Sequence, residues 1–465
     1  MRGRIVPPLK PDSGDFRRAT TSRLPAAALF VFALLAVSVV VPRKMAGGLA
    51  LGVDDLLVSV LTLWLVAAAV RNFSRTWTVP VLIVGALWVA IMLHGLILGV
   101  VASASILGYV DPPTEMWQYV KRLTCFYVAF TVATQGKDAT QAAYKVLFCA
   151  VFLAGLIGLA QIPQGSIAEA IAAPYARTDA QLENLVGREL GVLRTYGVAG
   201  HSVSWGGFCI LMASLAIPWL IDGSRERRSG AGGWRLAALA LAAITLLNLA
   251  YAGSRSAIVG FAVVVVVGVF AELAIRRTGL PGFFRSALLL VVLAAGGLVI
   301  AVQRFDFLAR RFVALGELSG GDRMEQVLAG SQLLDSYGAW FVGVGNAVQR
   351  LQTVSYGVEV EPVYLVVNYG IFGALMRYAL LLVLAYMALR AMRDRDGGLS
   401  ALNMSGLLLI AGYLVFSVGY FFFQELFVGL TPWLALGLVA GNYQNRFGES
   451  SPGERHPGLR HWRNA

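Results

Sequence analysis

A chain of 465 residues that is 57% hydrophobic and only 14% charged, with a mean hydropathy of +0.69, carries too much apolar surface to be a soluble globule. Its formal net charge of +12 sits in short loops and tails, which excludes a nucleic-acid reading and reports membrane orientation instead. The three cysteines, Cys125, Cys149 and Cys209, lie inside apolar runs without metal-ligand spacing, which excludes a disulfide framework and a zinc site.

A basic tail over 1–23, with Arg2, Arg4, Lys10, Arg17, Arg18 and Arg23, precedes the first apolar run. No small-residue cleavage site follows, so that run reads as a retained helix rather than a signal peptide. Apolar runs then predict helices over 24–42, 52–70, 79–101, 117–134, 142–161, 201–221, 235–252, 255–275, 284–303, 362–391, 403–423 and 426–444. The expected fold class is an all-α polytopic membrane protein with about 12 transmembrane helices, each near the roughly 20 residues that a bilayer requires. Its membrane domain covers 24–444, and 445–465 reads as a disordered cytoplasmic tail. His456 and His461 in that tail are too few ligands for a metal site.

With the N-terminus cytoplasmic, Arg71, Arg75, Lys137, Arg225, Arg227, Arg228, Arg276, Arg277, Arg390, Arg393 and Arg395 all fall inside, and Arg43 and Lys44 run against the trend. The two long non-apolar segments, 162–200 and 304–361, and the turn at Ser254 and Arg255 then emerge together as extracytoplasmic loops. Long loops in a tightly connected bundle carry function more often than connection.

Arg255, in Ala252-Gly253-Ser254-Arg255-Ser256-Ala257, is an arginine at a membrane boundary between two apolar helices, a costly position unless it meets an anion. The same face offers Arg177, Arg188, Arg194, Arg304, Arg310, Arg311 and Arg323, and the rigid fork of arginine suits phosphate. Arg304, Arg310 and Arg311 border or lie in an amphipathic stretch and read as snorkelling side chains. Arg194, Arg255 and Arg323 stand beside glycine or serine, where the backbone can bend to admit a ligand; salt bridges to Glu189, Asp322 or Glu325 are the structural alternative. His94, mid-helix among Met92, Leu93 and Leu96, reads as a buried hydrogen-bonding residue. His201, in Gly200-His201-Ser202, reads equally as part of a helix cap or as a substrate-facing imidazole. Glu359 and Glu361, just before and after Val360 and ahead of Pro362, either complement a helix dipole or accept a proton from a hydroxyl nucleophile.

Arg194-Thr-Tyr-Gly197 with Gly200-His201-Ser202, the Ser254-Arg255-Ser256 element, Ser319-Gly-Gly-Asp-Arg323 followed by Gly343-Val-Gly345-Asn346, and Tyr364-Leu365 with Tyr369-Gly370-Ile-Phe-Gly373 occur in an order that resembles the O-antigen ligase and polymerase superfamily. Those proteins are membrane glycosyltransferases acting on polyprenyl-diphosphate-linked glycans. The likeness covers most of the chain and is strongest over about 190–373. Where the ligases carry a histidine, eleven residues before Gly370, this chain has Glu359, and 304–361 contains no histidine.

The resemblance implies a GT-C-like architecture in the bacterial plasma membrane, with both termini cytoplasmic and an extracytoplasmic site. The reaction it implies is attack by a sugar hydroxyl on the anomeric carbon of a lipid-linked glycan, with polyprenyl diphosphate leaving and no metal or other cofactor. Arg194, Arg255 and Arg323 would hold the diphosphate, with Lys121 and Arg122 as further contacts. Glu359 would be the general base and Glu361 its substitute. Expected partners are the lipid-linked glycan donor, a glycan acceptor, membrane lipids and a chain-length regulator. A ligase using His201 or Glu359 is the alternative within the class, and a lipid-linked-glycan flippase the alternative outside it. The chain has no paired halves or inverted repeat of the kind that transporters use.

Overall fold

Apolar runs fold as helices because, in hydrocarbon, each backbone N–H and C=O must find its partner within the segment or in protein. The computed structural model describes residues 23–42, 44–46, 49–61, 77–104, 112–163, 165–176, 194–221, 231–275, 320–345, 360–393, 399–420 and 426–448. In chain order the helices are α1 (Arg23–Val37), α2 (53–61), α3 (Val79–Ala104), α4 (Pro112–Ala133), α5 (Lys137–Ala160), α6 (Ser166–Ala172), α7 (Ser202–Ile221), α8 (Ala231–Ala252), α9 (Arg255–Phe270), α10 (Gly320–Tyr337), α11 (Glu361–Arg393), α12 (Ser400–Phe416) and α13 (Leu426–Phe447). A small antiparallel hairpin, β1 (Lys44–Ala46) with β2 (Leu49–Leu51), pairs Met45 with Ala50 between α1 and α2.

Among the described residues six helices, α3, α5, α7, α8, α9 and α11, are long and apolar enough to cross a membrane. The chain is a helical membrane protein. The expected span 284–303 lies outside the described residues and 52–70 lies only partly within them. The first tail, apart from Arg23, and the last from 449 also lie outside, as do Arg177, Arg188, Arg304, Arg310 and Arg311. α13 remains helical to Phe447, three residues beyond the expected end of the last helix at 444.

The centre of the bundle is α7, whose apolar window is 94% buried, against 22% for α3 at the periphery. α7 packs against α8, α9 and α12, while α13 packs along α4. The last contact is close because Gly437 and Gly441, four apart on α13, lie directly on the Phe126 and Phe130 carbonyls of α4. Small residues at this spacing allow membrane helices to approach until backbones touch.

Two ends are distinguished by the pairings across them. At one, the Thr78 amide and hydroxyl bond Gln444, Arg446 donates to the Ala391 carbonyl, and Asn442 donates to Asn403. At the other, Gln161 binds Gly197, Thr195 bonds Tyr251, and Glu361 bonds Ser417. The described parts of both long segments and the Ser254 and Arg255 turn therefore gather at a single end.

α11 is two helices merged across a kink. At Gly370 the backbone takes φ 69° and ψ 175°, inside a run that the sequence reads as one continuous helix. The kink frees backbone groups in an apolar setting, and the turn after α10 takes them up. The Val344 and Gly345 amides donate to the Val367 carbonyl at 2.7 and 3.3 Å, and the Ile371 amide donates to Trp340 at 2.8 Å. Gly343 and Gly370 permit this because each faces backbone of the other segment at a distance that excludes a side chain. The lengths agree with a turn at this point. Thirty residues, roughly 45 Å of helix, separate Glu361 from Ala391, whereas roughly 21 Å separates Asn403 from Ser417, at the same two ends. The piece of α11 ahead of Gly370 takes up much of the difference by crossing the end of the bundle.

Gly370→Ala is accordingly expected to lower stability by about 2 kcal/mol or more, from the positive φ and the clash with Phe341. Gly85→Ala, at a glycine with nothing within 4 Å of an added methyl group, is expected to leave the melting temperature in detergent unchanged or slightly raised.

Candidate functional site

The site end is organised by the hairpin between α8 and α9. Gly253, at φ 61°, returns its amide to the Leu249 carbonyl and closes α8, and the extended Ser254 starts α9 by accepting from the Ile258 amide. The turn is pressed onto α7, since Gly206 lies within contact distance of the Ser254 and Ala257 side chains. Ser254 is buried and Arg255 half-buried in the first turn of α9. A cation there adds to the positive end of the helix dipole, an arrangement that favours an anion in front of it.

Arg194 is fastened to the same hairpin from the other side. Its Nε donates to the Ala252 carbonyl at 3.0 Å, and the Thr195 amide donates to Tyr251 at 3.2 Å, so the last carbonyls of α8 are capped by the segment leading to α7. That segment is held by Gln161 at the end of α5. The Gln161 Oε1 accepts from the Tyr196 and Gly197 amides and its Nε2 donates to the Gly197 carbonyl. The Tyr196 hydroxyl donates to Ala172, and burial pushes its pKa up to about 12, so it remains a neutral donor. Behind Gly197, Trp205 stacks on Phe208 and donates to Asn248, which in turn donates to Gly155 and Ile244. Arg194 and Arg255 are thus placed on either side of one turn by a continuous bonded frame.

His201 precedes α7 and its carbonyl accepts from the Trp205 amide. The imidazole stacks on Tyr420 with ring centroids 5.6 Å apart, and the Tyr420 hydroxyl lies 3.2 Å from Nδ1. Tyr420 belongs to the turn after α12, whose Ser417 carbonyl accepts from the Glu361 amide at 3.0 Å. Glu361 opens α11 at 1% exposure, at the positive end of the helix dipole. α10 docks beside it: the Val360 amide donates to the buried Gln326, and Gly330 meets Val363 and Val367.

Arg194, His201, Arg255 and Glu361 are therefore brought to one end. Glu359 lies outside the described residues, and of Arg323 the structure describes only its backbone on α10. No protein-family model and no curated protein matches this chain.

Lys121 and Arg122 belong to a separate, deeper group. Lys121 is 1% exposed and its Nζ lies 2.7 Å from Asp55 and 3.4 Å from Asp54, with Trp117 and the Gly52 amide also donating to Asp55. Arg122 lies over the Tyr119 ring at 5.5 Å. Arg377 also meets Tyr119: it donates to the Tyr119 hydroxyl through Nε and Nη2, donates to the Gly373 carbonyl through Nη1, and stacks 3.7 Å from the Tyr369 ring centroid. Sequence reasoning missed Arg377, although a lone arginine inside the apolar run 371–388 is itself a signal. It also missed Asp54 and Asp55, whose pairing with Lys121 depends on tertiary contact. His94, expected to be a hydrogen-bonded core residue, packs edge-on to Phe372 and against Gly373 with no partner at its Nδ1.

Lys121→Met is expected to destabilise the protein by about 3–5 kcal/mol, because it leaves two buried carboxylates uncompensated. Adding Asp54→Asn and Asp55→Asn is expected to recover much of that loss in thermal unfolding. A triple variant no more stable than the single one would show that the ion pair is not what holds α2 to α4.

Proposed function

We propose that this chain is a membrane glycosyltransferase that polymerises polyprenyl-diphosphate-linked oligosaccharide repeat units on the outer face of a bacterial plasma membrane. The observation that carries this reading is the gathering of Arg194 and Arg255 around one hairpin, with His201 and Glu361 on the adjoining turn of the same end. That placement supports the resemblance of these same residues to the O-antigen ligase and polymerase superfamily.

In this reading the acceptor sugar hydroxyl attacks the anomeric carbon of the donor. The new glycosidic bond forms as the bond to the diphosphate oxygen breaks, and that electron pair leaves with the polyprenyl diphosphate. Arg255, at the positive end of α9, and Arg194, held by Ala252, neutralise the charge developing on the leaving group, and Arg323 joins them from α10. Lys121 and Arg122 act from beneath: Lys121 is engaged by Asp54 and Asp55, and both contribute through their position rather than by direct contact. The hydroxyl proton passes to a carboxylate at the start of α11, Glu359 or Glu361. His201, held against Tyr420, orients the acceptor.

The test is the glycan profile of a deletion strain complemented with wild type, Arg194→Ala, Arg255→Ala or Glu361→Gln, with membrane levels of each variant measured in parallel. Long chains from wild type and single repeat units from either arginine variant are expected. Glu361→Gln is expected to reduce elongation by about 10²–10⁴-fold if Glu361 is the base, and Glu359→Gln would do so if the role lies there. Long chains that accumulate on the polyprenyl carrier in the deletion strain would reassign the protein as a ligase. Unaltered chains from both arginine variants would overturn the proposal.

A further inference from the structure

At the end of the bundle opposite the candidate site, α5 and α8 frame an apolar recess, with Phe148 of α5 edge-on to Trp234 of α8 at 5.7 Å. They are tight near the site, where Gly155 lies 3.0 Å, measured from an added methyl position, from Ile244, and Asn248 donates to its carbonyl. Towards the other end the recess is a cavity of about 420 Å³ lined by Phe148, Cys149, Phe152, Gly233, Trp234 and Ala237. Its flanks are apolar and outward-facing, with Leu153, Leu236 and Leu239 exposed at 46%, 69% and 48%, so the wedge opens towards acyl chains. At its foot Lys145 places its ammonium 5.4 Å from the Trp234 ring, and Arg235 is the next residue of α8. Trp234, partly exposed, stacks on the buried Trp219, which stacks on the buried Tyr144, so its ring is fixed from within the bundle. Lys145 is eight residues into α5, roughly 12 Å from its start, a depth from which a lysine reaches the boundary along its own stem.

We propose that this wedge binds one anionic glycerophospholipid from the leaflet at that end, an acyl chain lying between α5 and α8 and the phosphate on Lys145. The apolar wall supplies a chain-shaped space, and the Lys145 ammonium at its foot supplies the preference for negative charge. The site is independent of the glycosyltransferase reading and lies at the opposite end of the molecule from it.

Cys149 is a built-in probe, since it lines the wedge and is exposed while Cys125 and Cys209 are buried. The full chain in neutral detergent micelles is titrated with phosphatidylglycerol or with phosphatidylcholine, and the rate of Cys149 alkylation by a small maleimide is followed, with Cys149→Ser giving the background. Phosphatidylglycerol is expected to protect Cys149 at about fivefold lower mole fraction than phosphatidylcholine, the preference that one lysine at an anionic surface provides. Lys145→Gln is expected to abolish that preference and Lys145→Arg to keep it. Equal protection by both lipids, or a preference that survives Lys145→Gln, would overturn the proposal. Stronger protection by a polyprenyl phosphate than by phosphatidylglycerol would also overturn it and assign the wedge to that lipid.

Discussion

A helix that breaks inside an apolar bundle must have its freed backbone groups satisfied by protein, since hydrocarbon offers none. In this chain the break at Gly370 is matched to the turn after α10, whose amides reach the Val367 carbonyl and whose Trp340 carbonyl receives the Ile371 amide. The two features require each other. Without the turn the break would strand polar groups, and without the break Gly343 could not approach the backbone of α11. The consequence for the site is direct: the first part of α11 is released from the bundle direction and carries Glu361 across to Ser417, beside Tyr420 and His201.

The buried cations follow the same logic of compensation. Lys121 is held by two carboxylates from the start of α2. Arg377 meets a phenol oxygen, a carbonyl and two aromatic faces, with no carboxylate among those contacts. Arg377 also stacks on Tyr369, the residue before the break, while rooted beyond it, so it clasps the kink from within α11 and ties it to α4 through Tyr119. Arg194 and Arg255 are different in kind. They are half-buried at the rim, where a guanidinium can be oriented by protein and still meet a ligand. Depth therefore separates the cations that brace the fold from those suited to bind an anion.

This division explains what the sequence made legible. Span lengths are set by the bilayer, so most of the described helices fall where hydropathy placed them, with ends moved by a few residues; α4 begins at Pro112 rather than 117 because its first turn is polar but still helical. The hairpin at Arg255 was legible because Gly-Ser between two apolar runs has one economical conformation. The break at Gly370 was not, since a glycine in an apolar run also fits an unbroken helix, and only the approach of Gly343 decides between them. α10 was hidden within the segment 304–361 because its contact face is Gln326, Gly330 and Leu334, one polar, one small and one apolar residue, which gives almost no hydrophobic stripe. Lys121 read as a candidate anion ligand because its partners precede it by more than sixty residues.

The two ends of the molecule then have opposite physical characters. At the site end, extended segments and turns are fastened by hydrogen bonds to helix termini, through Gln161, Tyr251 and Ser417, so that polar side chains are held in place before any ligand arrives. Such preorganisation suits stabilisation of charge that appears only during a reaction, because nothing must be rearranged at that moment. At the other end, Phe148, Phe152 and Trp234 of α5 and α8 line an apolar recess. A gap of that kind in a bilayer is filled by whatever chain-shaped molecule is at hand, and the charge at its foot decides which. Gly155 and Gly158 serve the site end from within α5, because the close approach that they allow beside Ile244, Asn248 and Trp205 supports the segment that carries Arg194.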